Sequence, residues 1–247
     1  MRNGALASVQ DLGLPTGPPL YLERPGRALE VLGPFLKPER IERLREVLSR
    51  RTRHVTVLAE RLYDEHNIAA CIRSCEAFGV QDLHLVSQEE LKKKRRLSVM
   101  VSTGSHKWLS IHKHKTSQLA IDQLRSDGYR IVVADPPGDH PSESVDQLDL
   151  SQRTAIVLGN ERDGVSAEIR AQADGRVHAP MAGFVESLNI SVACAVLLSQ
   201  LRRRLDLDLG SDAMMSPSDQ TKLLDLWVAR DVPRVGEVVS ELIRRAT

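Results

Sequence analysis

One segment of this chain places an asparagine and an arginine where they could act on an anionic substrate. In EHNIAACIRSCEAFGV, Asn67 opens a predicted helix and Arg73 lies further along it. A guanidinium stays protonated at neutral pH and offers five donors, so it can grip a phosphate or stabilise a developing negative charge. Taken alone, Asn67 is equally a helix cap and Arg73 an exposed helical arginine.

A second segment, IVLGNERDGVS, is an apolar run that ends abruptly in glycines and polar residues. Gly159 and Gly164 would let backbone amides approach a ligand closely, and Asn160 and Glu161 add polar side chains between them. The alternative is a plain tight turn, which explains the same glycines equally well.

A third segment, HAPMAGFVESLNISVACAVLL, places Ser187, Leu188 and Asn189 at the start of a long apolar helix. Polar side chains at this position could face a ligand. The alternative is capping of a buried helix.

These segments lie where predicted strands meet predicted helices. Helix-length stretches separate five runs that predict strands, namely VTVLAERL, DLHLV, YRIVVAD, TAIVLGN and RVHAPM. The alternation is typical of βα units and predicts an α/β fold with a mostly parallel sheet. Ligands of such sheets bind at loops beyond the carboxyl ends of the strands, so we expect function in those loops.

The chain divides into four predicted segments. Residues 1–27 are rich in Gly and Pro and predict a flexible arm, and residues 28–53 predict a basic helical extension. Residues 54–205 hold the α/β domain, and residues 206–247 predict two more helices. The apolar residues of these last helices either pack on the main domain or form a dimer interface.

Positive charge is unevenly distributed, although the net charge is only +1. Residues 91–115 carry eight Lys and Arg with no Asp or Glu, and a second basic cluster lies on the helix predicted from about Pro38 to Arg51. Such patches are typical of a polyanion-binding surface, or of a solvated helix face. The candidate RNA contacts are Arg43, Arg50, Arg51, Lys93, Arg95, Arg96, Lys107 and Lys113.

Several classes of protein are disfavoured. No apolar run approaches the roughly eighteen residues of a membrane span, and the first residues lack the order of a secretory signal, so we expect a cytoplasmic protein. The three cysteines, Cys71, Cys75 and Cys194, are an odd number and are expected to be reduced. Together with the histidines they match no zinc spacing, so no metal site is expected.

Together the three segments resemble the motifs of the SpoU/TrmH RNA 2'-O-methyltransferases of the SPOUT superfamily, from about Val55 to Leu198. The resemblance implies a parallel α/β sheet whose carboxyl-terminal part forms a deep trefoil knot, and a homodimer. It also implies S-adenosylmethionine as cofactor. The expected cofactor-binding residues are Ala134, Asp135, Leu158, Gly159, Asn160, Ala179, Met181, Ser187, Leu188 and Asn189.

The resemblance also implies which residues act on the substrate. Arg73 is the expected catalytic residue, oriented by Asn67, while Glu161, Ser187 and Asn189 arrange substrate and loops. Because a guanidinium is almost never deprotonated, we expect Arg73 to grip the adjacent phosphate and stabilise the developing alkoxide. Phosphate or water then takes the proton. The expected substrate is transfer RNA, methylated on the ribose of guanosine 18 in the D-loop.

Two residues leave alternatives open. Asp135 stands where the family usually has a small or neutral residue, so its carboxylate either accepts from a ribose hydroxyl or is turned away. Trp108 lies in TGSHKWLSIHKH, which resembles the TrmH subgroup, and is either a core residue or a base-stacking platform.

Two other functions stay open as well. The cofactor and catalytic motifs are shared across the branch, so a ribosomal RNA target, including a resistance-conferring one, is an alternative to tRNA. A protein that binds structured RNA without catalysis is another, although the intact motif residues argue against it.

Overall fold

The computed structural model describes residues 24–62, 64–86, 104–138, 140–160 and 162–246. These residues form two units, one made of residues 52–214 and the other of the described residues on either side of it. The four segments predicted from the sequence stay a prediction.

The larger unit is built on one parallel sheet. Its strands, in chain order, are β1 Val55–Glu60, β2 Asp82–Val86, β3 Ser110–His114, β4 Arg130–Ala134, β5 Glu143–Ser144, β6 Thr154–Leu158 and β7 Gly175–His178. In space they run β3-β2-β1-β6-β4-β7-β5, and every neighbouring pair is parallel. This confirms the parallel α/β sheet that the alternating pattern predicts.

Helices cover both faces of this sheet. They are α3 Glu65–Ala77, α4 Ser117–Ser126, α5 Ala167–Gln172 and α6 Ile190–Asp208, with short 3-10 helices at Ser105–Trp108 and Gly210–Ala213. Apolar side chains of α3 and α6 share one core with Val55 and Val57 of β1, and those of α4 and α5 share a second core with Leu58. Because both faces are covered, β1 and β6 are buried along their whole lengths.

The three cysteines lie in the core on the α3 and α6 side, where all three are buried and none is in a disulfide. Among the described residues, no helix is both long enough and apolar enough to cross a membrane.

Glu60 fixes two helix starts at the carboxyl edge of the sheet. Its carboxylate is fully buried and accepts from the Ser166 amide and hydroxyl, each at 2.7 Å, and from the Ser117 hydroxyl at 2.5 Å. Ser166 caps α5, and Ser117 is the first residue of α4. A negative charge at a helix amino terminus is stabilised by the free amides and the helix dipole.

Two helix starts differ from the prediction. The helix that carries Asn67 begins at Glu65 and is capped by Asp64, which accepts from the His66 amide at 2.8 Å, so Asn67 as the opening residue is wrong. Asp and Asn are equally good caps, and Asp64 comes first in the chain. The helix predicted from about Ser187 begins at Ile190, with Asn189 as its cap.

The smaller unit is helical. It contains α1 Arg27–Leu32, a 3-10 helix at Gly33–Phe35, α2 Pro38–Ser49, α7 Pro217–Asp231 and α8 Val235–Ala246. Helix α7 packs against α1 and α2, and the apolar residues Leu32, Leu44 and Leu48 are buried. The two helices predicted after about Gly210 are therefore present as α7 and α8.

Asp225 of α7 caps the short helix α1 across this unit. Its carboxylate oxygens accept from the backbone amides of Gly26 at 2.6 Å and Leu29 at 3.0 Å. A six-residue helix is too short to be stable by itself, so α1 depends on such tertiary contacts.

We predict that Asp225→Ala destabilises α1 by about 1–2 kcal/mol, the usual cost of a lost cap. Hydrogen exchange of the amides at residues 27–32 should quicken about tenfold or more. The control is Asp206→Ala, which removes an exposed partner of Arg202 and should leave these amides unchanged. Equal exchange in both variants would contradict the role of Asp225.

Candidate functional site

A cavity of about 480 Å³ opens at the carboxyl ends of β4, β6 and β7, beside the first turns of α6. All ten residues predicted to contact a cofactor line it: Ala134, Asp135, Leu158, Gly159, Asn160, Ala179, Met181, Ser187, Leu188 and Asn189. Other residues of its wall include Pro136, Arg162, Gly164, Val165, Val177, His178, Ile190, Ala193 and Leu197. A mostly apolar wall with a few polar groups suits a flat, uncharged ring system such as adenine.

The loop after β6 is folded back on itself against the cavity. The backbones of Asn160 and Gly164 exchange hydrogen bonds of 3.2 and 3.1 Å, and Gly164 has a φ of 65°, in the left-handed region that favours glycine. A Cβ atom at Gly159 would overlap the backbone of Gly164 and Val165. Gly159 is therefore required by the close approach of two backbone segments, and Gly164 by its left-handed φ.

Asn160 fixes the turn of this loop and leaves one buried donor unused. Its side-chain oxygen accepts from the amides of Arg162 and Asp163, both at 2.8 Å, which fixes the turn. Its side-chain nitrogen is buried and has no hydrogen-bond partner among the described residues. A buried donor without a partner is costly, so an acceptor on a bound ligand would stabilise this loop.

Asp135 links three walls of the cavity. Its carboxylate lies 2.8 Å from a guanidinium nitrogen of Arg170 in α5 and 3.3 Å from one of Arg176 in β7. Arg170 also donates to the carbonyl of Val165 at 2.9 Å, at the end of the loop after β6. The sequence leaves two alternatives for Asp135, a bond to a ribose hydroxyl or a side chain that is turned away. In the structure, the residue lines the cavity and its carboxylate is bound by the two arginines.

Hydrogen bonds of Ser142 connect two residues of the cavity wall, Asp135 and His178. The Ser142 hydroxyl lies 2.9 Å from the Asp135 carbonyl and 3.1 Å from Nδ1 of His178. Its one proton goes to the carbonyl, which only accepts, so His178 donates through Nδ1 to the serine oxygen.

The expected catalytic residues do not all lie at the cavity. Ser187 and Asn189 line it, but Arg73 is exposed on α3 and is not among the lining residues, nor is the half-buried Asn67. Glu161 lies outside the described residues. Helix α3 packs against α6, whose first turns form part of the cavity wall. Within one copy of the chain, the structure therefore brings together the predicted cofactor residues and leaves Arg73 on the surface.

The expected RNA contacts have different outcomes. Arg51 is wrong as a contact, because it is only 1% exposed and its guanidinium lies 5.3 Å from the centre of the Trp227 ring. Arg43 and Arg50 are exposed, but both form ion pairs with Glu46. Lys107 and Lys113 are exposed, whereas Lys93, Arg95 and Arg96 lie outside the described residues. Trp108 is half-buried, which keeps both interpretations of it open.

Two histidines of the basic stretch, His112 and His114, lie on the edge strand β3. His112 lies 3.0 Å from the Asp82 carboxylate, and His114 lies 2.9 Å from Nδ1 of His84. Burial and the two neighbouring imidazoles lower the pKa of His84 to about 3, so it is uncharged at neutral pH. In the described part of the chain, no group of His, Cys, Asp and Glu could hold a metal ion.

Sequence reasoning missed Arg162, Arg170 and Arg176. Arg162 lies inside the second segment, between Glu161 and Gly164, but its position alone does not indicate that it lines a cavity. Arg170 and Arg176 reach Asp135 from 35 and 41 residues away, and local pattern gives no signal for such pairs.

Comparisons with known proteins agree with this architecture. The model of the SpoU rRNA Methylase family matches residues 54–199. A tRNA (guanosine(18)-2'-O)-methyltransferase of Borreliella burgdorferi is 37% identical over 179 residues, which is 72% of this chain and 80% of the relative. The chain therefore belongs to the SpoU rRNA methylase family.

Two solved structures are similar as well. The Aquifex aeolicus TrmH/SpoU tRNA modifying enzyme aligns with a TM-score of 0.68 and 33% identity, over 79% of this chain and 98% of that one. The SpoU methyltransferase AviRb of Streptomyces viridochromogenes, in complex with the cofactor AdoMet, aligns with a TM-score of 0.54 and 28% identity. That alignment covers 64% of this chain and 63% of the other.

We predict that Gly159→Ala disrupts the cavity loop. The added methyl group would force two backbone segments apart, at a cost of about 1–3 kcal/mol or more in the free energy of unfolding. Denaturant unfolding measures that cost, and hydrogen exchange of residues 158–165 locates it. Gly138→Ala is the matched control, because its Cβ would meet only open space. A Gly159→Ala variant as stable as this control would contradict the close approach.

Proposed function

We propose that this chain is an S-adenosylmethionine-dependent methyltransferase that modifies the 2'-hydroxyl of guanosine 18 in the D-loop of transfer RNA. The observation that carries the proposal is the convergence of ten predicted cofactor residues on one cavity. The relatives named for this reaction support the substrate, since they align over about three quarters of the chain.

The cavity fits the proposed cofactor. Ala134, Leu158 and Ala179 give an apolar slot for adenine, and the unpartnered nitrogen of Asn160 can donate to a ligand acceptor. S-adenosylmethionine supplies an electrophilic methyl group on a sulfonium. No residue of the chain therefore needs to activate the donor, and the remaining work is to position the ribose and help remove one proton.

Arg73 is the proposed catalytic residue. Its guanidinium would bind the phosphate beside the target ribose and stabilise the alkoxide as the proton leaves for phosphate or water. Asn67, on the same helix α3, would orient Arg73, and Glu161, Ser187 and Asn189 would arrange the substrate and the loops.

The chain is proposed to act as a homodimer. Arg73 does not line the cavity of its own copy, so a second copy has to bring it there if it is to reach the reacting ribose. An apolar patch on the loop before α6 and on its first turn also favours a partner: Met181, Phe184, Val185 and Val192 are 38%, 108%, 63% and 47% exposed. Covering this patch would remove apolar surface from water at the cavity mouth.

The carboxyl-terminal part of the sheet is proposed to form the deep trefoil knot of the family. In support, the loops after β4, β6 and β7 meet α6 at one cavity, which is where the resemblance places the cofactor in the knot. A cytoplasmic location stays a prediction.

We predict that Arg73→Ala keeps cofactor binding and lowers single-turnover methylation about 10²- to 10³-fold, the usual effect of removing one electrostatic group at a transition state. Calorimetric titration with S-adenosylmethionine and transfer of a radiolabelled methyl group to tRNA measure the two effects. Arg203→Ala, an exposed arginine of α6, is the control. Full activity of Arg73→Ala would remove Arg73 from the mechanism.

A mixing experiment tests the two-copy site. Arg73→Ala and Gly159→Ala chains are each expected to be inactive, but a mixed dimer would hold one intact site. Equal mixing makes half of the dimers mixed, so about a quarter of the wild-type rate should return. Mixed dimers that form without any recovery would show that each copy works alone.

Ribosomal RNA is the second candidate substrate, because the family as a whole is described by rRNA methylation. Mapping of 2'-O-methyl groups in tRNA and rRNA, from cells with and without the gene, separates the two. Loss of the mark at tRNA guanosine 18 alone supports the proposal, and loss at an rRNA position overturns it.

A further inference from the structure

Arg162 is a charged residue of the cavity wall that the catalytic scheme does not use. It lies on the loop after β6, and Asn160 holds its backbone amide at 2.8 Å, which fixes its place on the wall. Its side chain is exposed, and its guanidinium has no ion-pair or hydrogen-bond partner among the described residues. Within the described part of the chain, Arg162 is thus a cation at the cavity whose guanidinium is not paired.

The one carboxylate among the described residues of the cavity wall is already paired. Asp135 is the carboxylate among the described lining residues, and Arg170 and Arg176 already bind it. His178 has its Nδ1 engaged with Ser142. The positive charge of Arg162 is therefore not offset within the described wall, and an anionic group on a ligand would be stabilised there.

We infer that Arg162 binds the carboxylate of the amino-acid part of the cofactor and so distinguishes the whole cofactor from its adenosine portion. The inference rests on the proposed function, since it assumes that the cavity holds S-adenosylmethionine. That molecule has a single carboxylate, at the end opposite to adenine. An arginine matches a carboxylate through two parallel hydrogen bonds, whereas the apolar slot formed by Ala134, Leu158 and Ala179 has no charge to offer it.

The prediction is that Arg162→Ala weakens binding only of ligands that carry the carboxylate. Isothermal titration with S-adenosylhomocysteine, the demethylated cofactor, and with 5'-methylthioadenosine, which lacks the amino-acid part, compares the two without turnover. We expect the Kd of S-adenosylhomocysteine to rise about tenfold, as for the loss of one charged hydrogen bond, and that of methylthioadenosine to change less than about twofold. Arg162→Lys, which keeps the charge, should recover part of the affinity.

Arg203→Ala is again the matched control and should leave both Kd values unchanged. Equal weakening of both ligands by Arg162→Ala would mean that Arg162 only shapes the loop, and it would overturn the inference. Unchanged Kd values with a raised KM for tRNA would overturn it too, by assigning Arg162 to the RNA. If wild-type protein binds neither ligand, the proposed function fails together with this inference, and the wild-type titration alone makes that case recognisable.

Discussion

The cavity depends on one carboxylate that holds three chain segments together. Asp135, directly after β4, binds Arg170 of α5 and Arg176 of β7, and Arg170 also donates to the Val165 carbonyl behind the loop after β6. Because the Asp135 side chain is only 14% exposed, its charge needs both guanidiniums to compensate for lost water. Three loops can contact one ligand only if they stay close together. The ion pairs of Asp135 with Arg170 and Arg176 keep them close.

A second buried carboxylate acts on the same loop from the other side. Glu60 accepts from Ser166, which directly follows the loop that contains Gly159 and Gly164, and from Ser117 at the start of α4. The loop is thus attached at its far end to β1 and through Arg170 to Asp135. Both attachments are polar, and together with the buried side chain of Val165 they hold this glycine-rich segment in one conformation.

The sequence predicts those parts of the site that follow from periodicity and strand direction. Apolar runs such as TAIVL predict buried parallel strands, and parallel strands bring their following loops to one edge of the sheet. The resemblance to the SpoU/TrmH motifs then implies which residues of those loops contact the cofactor. Contacts between distant residues could not be predicted. In the sequence, Arg51 is one more basic residue of the helix predicted from about Pro38 to Arg51, and nothing nearby indicates its contact with Trp227, 176 positions later. The residues near Asp135 likewise do not predict its two arginine partners. The misplaced cap at Asn67 has a local cause, since Asp64 satisfies the same rule three residues earlier.

The division of the proposed active centre between two copies has a physical reason. A cofactor read by backbone amides and small apolar side chains needs a narrow cavity, whereas a folded RNA needs a broad surface that carries cations such as Arg73. The loop with Met181, Phe184 and Val185 contributes to both the cavity and the surface, because it borders the cavity and exposes apolar side chains. A partner copy that covers this loop would also order the cavity wall. In the proposed dimer, dimer formation and cofactor binding would then stabilise one another, and linkage requires that each strengthen the other by the same factor.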